Sequence, residues 1–355
     1  MKKEEKLLFR QLCSFDSGKI NPALLRYATP RVLGQLFYNR MQSIAYGELL
    51  RCGCLGQINR EFRNALKGAY EQSLEKNKSF IQGVKLVSYL LQKQKIPYAM
   101  LKGAVLCGIY PKGYRTANDI DLLVSPENVT ELGRVLSSAG FLQGYLRGET
   151  FIPASRKEIV ASKMLRGETV PYVYEIGLPK LHYLEVDLNF SLSAYSARQE
   201  LVLSMLNHRT VFGGIPTLAK TDFFIHLCCH LYKEASTMPW VAMKRDMTLY
   251  KYADIYTLLN RSNKAQTDEL SHRAKELKLE KICAFAILQT AALFDFQNQE
   301  AMHWAKKILE NDAAFLHRVI SPREKKSYQY RTTDIEKRFF LQDRLSDLEE
   351  AAWKS

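Results

Sequence analysis

The hydrophobic period of the chain changes twice, and this limits the folds open to it. Up to about residue 94, apolar residues recur at three- and four-residue steps, as at Phe80, Val84, Val87 and Leu91, the spacing of an amphipathic helix. Lys95-Ile96-Pro97 breaks that pattern. Short runs follow. Tyr98-Ala99-Met100-Leu101 reads as a buried strand and residues 119–124 as a second. Residues 182–190 alternate with a period of two: Leu184, Val186 and Leu188 point one way, and Glu185, Asp187 and Asn189 the other. After Pro216 helical spacing returns, in 222–235, 250–261, 281–294 and 300–309. The order predicts an α+β chain: a helical region over 1–94, a small α/β core over 95–215, and a helical domain over 216–355.

Within the core, Gly103 allows a tight turn into a short helix at Ala104-Val105-Leu106. Ser125-Pro126-Glu127 has the composition of a helix start, and Gly140 that of its stop after Ser138. Residues 141–180 read as strands with loops. The tail beyond Ser321 is polar, with one late amphipathic piece over 338–353.

A chain of 355 residues is too long for one small core. No run reaches the roughly 18 apolar residues of a membrane span, so no membrane partner is expected. The start, MKKEEKLLFRQLCSFDSGK, has no long apolar segment, and the reading is cytoplasmic. Seven cysteines with no disulfide-like spacing agree with a reducing compartment. The formal charge of +14 favours anionic partners, nucleotide phosphates first. Nucleic acid is open but not favoured, because no long basic block or RNA-binding signature occurs.

The second strand, DIDLLV, carries two acids in a run that is otherwise apolar. Residues two apart share a strand face, so Asp119 and Asp121 project together while Ile120 and Leu122 face the core. Carboxylates that close repel unless a positive charge lies between them. A hard divalent cation answers this: Mg²⁺, or Mn²⁺, held by carboxylates and substrate phosphates. Asp187, on the polar face of 182–190, is the expected third ligand, with Glu185 on the same face as its rival. Upstream, Lys102 and Gly103 end a strand and open a helix, where glycine lets the backbone approach a phosphate. Arg115, four residues before Asp119, is placed to clamp phosphate or to neutralise the acids.

LKG…YPKGYRTANDIDLLV followed by LEVDLNF resembles a bacterial nucleotidyltransferase family within the superfamily typified by DNA polymerase β. In that family a Leu-Lys-Gly segment, an arginine and an Asp-Ile-Asp-Leu-Leu-Val strand recur in this order, followed by a helix with spaced histidines. The resemblance is specific over residues 85–190 and weaker over 217–260. It implies a small mixed-sheet, polymerase β-like core flanked by the two helical regions. It also implies that Asp119, Asp121 and Asp187 are the metal-binding and catalytic acids, and that Gly103 lies in the phosphate-holding turn. The small polar residue that follows this glycine in the superfamily is Ala104 here, so backbone amides must do more of the work.

His226 and His230 are four apart on one helix and share a face. They are candidates for lining an acceptor cleft, and packing histidines otherwise. By the resemblance, Lys251 is a candidate for touching a triphosphate. The expected activity is a Mg-dependent transfer of a nucleoside monophosphate from a nucleoside triphosphate to a hydroxyl of an unidentified acceptor, a small molecule or biosynthetic intermediate first. The alternatives are a non-catalytic module on the same fold that binds nucleotide, peptide or RNA, and a toxin-type transferase acting on tRNA or protein.

Overall fold

The computed structural model describes residues 1–192, 198–322 and 324–352. The chain forms two compact units, one of residues 70–223 and one of residues 1–69 with 224–355.

Among the described residues, the 70–223 unit holds eight strands: β1 (Tyr98–Met100), β2 (Asp119–Val124), β3 (Leu142–Arg147), β4 (Thr150–Pro153), β5 (Tyr172–Leu178), β6 (Leu181–Asn189), β7 (Arg209–Phe212) and β8 (Ile215–Leu218). They make one sheet ordered β4-β3-β5-β6-β2-β1-β8-β7. The sheet is mixed: β2 runs parallel to β6 and β1 parallel to β8, and the other neighbours are antiparallel. A Gly213-Gly214 turn closes the β7–β8 hairpin, both residues at positive φ, as a two-residue primed turn requires.

One sheet face is dry. Ile120, Leu122 and Val124 of β2 and Leu184, Val186 and Leu188 of β6 pack with Phe80, Val84, Val87 and Leu91 of the long helix Arg60–Gln92. Val129, Leu132 and Leu136 of the helix Val129–Ser138 join the same core. Each such side chain contributes about 1.5–3 kcal/mol by leaving water. That apolar set fixes the register, because a one-residue slip would turn it outward and bring the acids in.

The stretch 141–180, read as strands with loops, also contains a helix, Arg156–Arg166. Its start is a capping box: the Ser155 hydroxyl accepts from the Glu158 amide at 3.3 Å, and the Glu158 carboxylate accepts from the Ser155 amide at 2.8 Å.

The other unit is mainly helical, with helices that include Lys3–Leu12, Gln42–Arg51, Leu249–Leu259 and Glu280–Leu293. It also contains a small antiparallel sheet, β9 (Arg318–Ser321), β10 (Lys326–Tyr330) and β11 (Leu348–Ala351), ordered β11-β10-β9. The amphipathic piece expected over 338–353 is therefore corrected. Its first residues end the short helix Ile335–Phe339, and its later ones pair with β10. Two of the charges there, Arg338 and Arg344, are buried. Arg344 donates to both oxygens of the fully buried Asp246, at 2.8 and 2.7 Å, and the Tyr330 hydroxyl donates to the same carboxylate at 3.1 Å. Arg338 is also buried, stacked 4.5 Å from the centre of the Tyr330 ring.

No disulfide joins any of the seven cysteines. Among the described residues, no helix is long and apolar enough to cross a membrane.

Candidate active site

The parallel pairing of β2 with β6 decides where the acids meet. Asp119 is the Cα partner of Glu185, and Asp121 of Asp187. Partners in a parallel pair project to the same side, so four carboxylates occupy two adjacent rows on the face opposite the core. The sheet thus brings together the three acids expected to form the site, and Glu185 beside them.

Asp121 is buried, and its Oδ1 accepts two hydrogen bonds, from Lys102 Nζ at 2.8 Å and from Asn189 Nδ2 at 3.1 Å. Lys102 follows β1 by one intervening residue, Leu101, whose amide donates to the Asp121 carbonyl at 2.9 Å. It caps the helix Gly103–Ile109 with φ 43° and ψ −117°, a conformation sparsely populated by L-residues. A Cβ on Gly103 would lie 2.2 Å from the Ala117 Cβ. The glycine is thus demanded by the close approach of the helix start to the loop leading into β2. The amides of Ala104 and Val105 donate within the turn, to the Leu101 carbonyl at 3.2 Å and the Lys102 carbonyl at 3.1 Å. Ala104 itself is buried.

Arg115 is half-buried. Its carbonyl accepts from Asn77 Nδ2 at 2.9 Å and from Cys107 Sγ at 3.3 Å, and its guanidinium donates to the Thr116 carbonyl. Its charge reaches Asp119, where it favours the ionised form.

The acids strain one another. Burial holds the Asp187 carboxyl well above the usual range, and the charges of Asp121, Asp119 and Glu168 push the same way, with Lys102 opposing. Asp119 is raised first by loss of hydration around its carboxyl and then by the charge of Asp121; Lys102 and Arg115 oppose. Glu185 is raised by burial and then by Asp119, with Lys76 opposing. Lys102 is in hydrogen-bond contact with this group of acids, at Asp121.

Three of these residues were not singled out from the sequence. Asn189 was legible, two residues beyond Asp187 on the same alternating face. Glu168 follows the Gly167 bend, where its backbone bridges to Asn189, and Lys76 reaches in from the long helix to bond Asn118. Neither belongs to a local pattern.

The donor set has the chemistry a hard divalent cation requires: anionic oxygens crowded on one face and repelling one another. As the side chains stand, no group of three or more His, Cys, Asp and Glu among the described residues is arranged to hold a metal ion. At Asp121 the positive charge is the lysine ammonium.

The remaining candidates lie in the other unit. His226 is buried on the helix Lys220–Ala235. His230, half-buried on that helix, has its Nδ1 3.7 Å from Glu234 Oε1. Lys251 is ion-paired with Glu234, donates to the Arg245 carbonyl at 3.2 Å, and lies 4.8 Å from the centre of the Trp240 ring. Burial lowers its pKa, and Glu234 opposes the shift. His230 and Lys251 thus share one carboxylate, a link their sequence positions do not reveal.

A family model described as uncharacterised nucleotidyltransferase matches residues 28–295, a span that includes Lys102, Asp119, Asp121 and Asp187. None of the curated proteins matches the chain. Among solved structures, an antigenic nucleotidyltransferase-like protein from Paracoccidioides brasiliensis is similar at 16% identity, over 57% of this chain and 90% of that chain, with a TM-score of 0.32. At that score the likeness supports no further conclusion.

Proposed function

This chain belongs to the uncharacterised nucleotidyltransferase family, and on that premise we propose that its β2–β6 face transfers a nucleoside monophosphate from a nucleoside triphosphate to an acceptor hydroxyl. The observation that carries this reading is the register that pairs Asp121 with Asp187 beside Asp119, with Lys102 at hydrogen-bond distance.

Asp119, Asp121 and Asp187 would hold Mg²⁺ or Mn²⁺, which when bound supplies Lewis-acid stabilisation of phosphate charge. Lys102 and Arg115 offer cationic donors to the phosphates. Asp187, whose proton affinity is raised, is the group suited to take the proton of the acceptor hydroxyl. The acceptor oxygen then bonds to the α-phosphorus, the bond from that phosphorus to the bridging oxygen breaks, and pyrophosphate departs with its electron pair. The same register aligns the acids of two strands, so the geometry is set by the sheet and not by a loop.

The acceptor is read as a small molecule or biosynthetic intermediate, since the basic excess is spread along the chain without an RNA-binding signature. Seven cysteines and no disulfide suit the cytosol, where nucleoside triphosphates are abundant. A module that only binds nucleotide has no use for four crowded carboxylates, which cost stability.

The test is to incubate the protein with α-labelled ATP, GTP, CTP and UTP, Mg²⁺ and metabolite extract. Transfer of label with release of pyrophosphate, lost in Asp121→Asn, is expected. Absence of transfer from every nucleotide, with Asp121→Asn indistinguishable from wild type, would overturn the reading.

A further inference from the structure

Lys102 stands at a position that suits glycine. Its φ of 43° and ψ of −117° cost a side-chain-bearing residue stability, and glycine would relieve that cost. The fold tolerates the strain because the turn is fixed on both sides. The Leu101 amide is tied to the Asp121 carbonyl, and the Leu106 amide donates to the Lys102 carbonyl at 2.8 Å. What the strained residue delivers is its ammonium, 2.8 Å from Asp121 Oδ1. The two ends of that contact differ. The Asp121 side chain is 7% exposed, but that of Lys102 is 22% exposed, so the ammonium keeps a route to solvent on a flexible stem.

We propose that Lys102 is an internal counter-ion that takes the cation's place at Asp121 in the metal-free protein and yields it when metal and nucleotide arrive together. This rests on reading the face as a metal–nucleotide centre. Ammonium and divalent cation compete for one carboxylate. The metal alone must displace the ammonium into water, whereas a metal–nucleotide pair offers it phosphate oxygens to bond. Metal and nucleotide thereby bind cooperatively, each raising the affinity for the other by the same factor.

The test is Mn²⁺ binding, followed by calorimetry and by the loss of free-Mn²⁺ electron paramagnetic resonance signal. Wild type, Lys102→Met and Lys102→Gly are compared, with and without a non-hydrolysable nucleoside triphosphate. Removing the competing charge is expected to tighten binding of Mn²⁺ alone about tenfold in both variants, and to shrink the enhancement by nucleotide that wild type shows. Lys102→Gly, free of the strain, is expected to melt at a higher temperature than Lys102→Met. Wild type that binds Mn²⁺ with nucleotide, beside variants that bind Mn²⁺ alone no more tightly than wild type, would overturn the counter-ion role and leave the site reading intact. Absence of Mn²⁺ binding by all three proteins, with or without nucleotide, would overturn the site reading and this inference with it.

Discussion

Asp121 and Asp187 are Cα partners across the parallel β2–β6 pair, 66 residues apart in the sequence and on one face of the sheet. The dry core on the opposite face holds them in that register: Ile120 and Leu122 of β2 are partnered with Val186 and Leu188 of β6. Packing on one side therefore sets the chemistry on the other.

Asp121→Asn and Asp187→Asn are expected to separate function from stability. Both should reduce nucleotidyl transfer by about 10²-fold or more, as loss of a positioned base or ligand does. Asp187→Asn should raise the metal-free melting temperature by roughly 2–4 °C, because it removes a charge that is held out of water and that Asp121, Asp119 and Glu168 also repel. Asp121→Asn should lower stability by about 1–2 kcal/mol, because it strands Lys102, a cost moderated by that residue's access to water. Thermal denaturation with and without metal checks both.

The pH dependence follows from the raised acids. Asp119, Glu185 and Asp187 hold protons more tightly in the folded chain than their ordinary values of 3.8 and 4.5. Below those values both folded and unfolded states are protonated, and the cluster costs nothing. As pH rises past them the unfolded chain ionises first, so the cluster's contribution to metal-free stability falls until pH passes the raised values. Metal binding requires the ionised acids, so stabilisation by Mg²⁺ with nucleotide should grow over the same window. Melting temperature against pH should be flatter in Asp187→Asn than in wild type; parallel curves would contradict this.

Gly103→Ala is expected to destabilise the 70–223 unit by about 1–3 kcal/mol, since the new Cβ would lie 2.2 Å from the Ala117 Cβ. Ala117→Gly in the same chain should recover much of that loss. Urea denaturation of the two single variants and the double variant measures the coupling, and additive losses would mean that the contact is not the cause.

Much of this site can be read from the sequence because it obeys short periods. Asp119 and Asp121 are two apart in a strand, Asp187 lies on a clean alternation, and Lys102-Gly103 marks a turn. What could not be read depends on distant partners. Glu168 and Lys76 arrive from a bend and from a helix, positions that no local spacing distinguishes. β9, β10 and β11 were missed because residues 318–351 are rich in charge, and only tertiary pairing hides Arg338 and Arg344. The capping box at Ser155 was a local signal for the Arg156–Arg166 helix, outweighed by the β-branched and aromatic residues around it.

The buried Asp246–Arg344 pair yields a prediction for the helical unit. Asp246→Asn leaves Arg344 buried without its full counter-charge and is expected to cost about 3–5 kcal/mol. Replacing both residues with apolar ones of similar volume should cost less than the single change. Denaturation curves of the two variants decide between these orders.

The most direct measurement is an anomalous-difference map from crystals grown with Mn²⁺ and a non-hydrolysable nucleoside triphosphate. The expected result is manganese within coordination distance of Asp119, Asp121 and Asp187, with Lys102 Nζ moved from Asp121 to a phosphate oxygen. Manganese and nucleotide bound elsewhere, with the 2.8 Å contact between Lys102 and Asp121 unchanged, would contradict the assignment of the β2–β6 face as the active site.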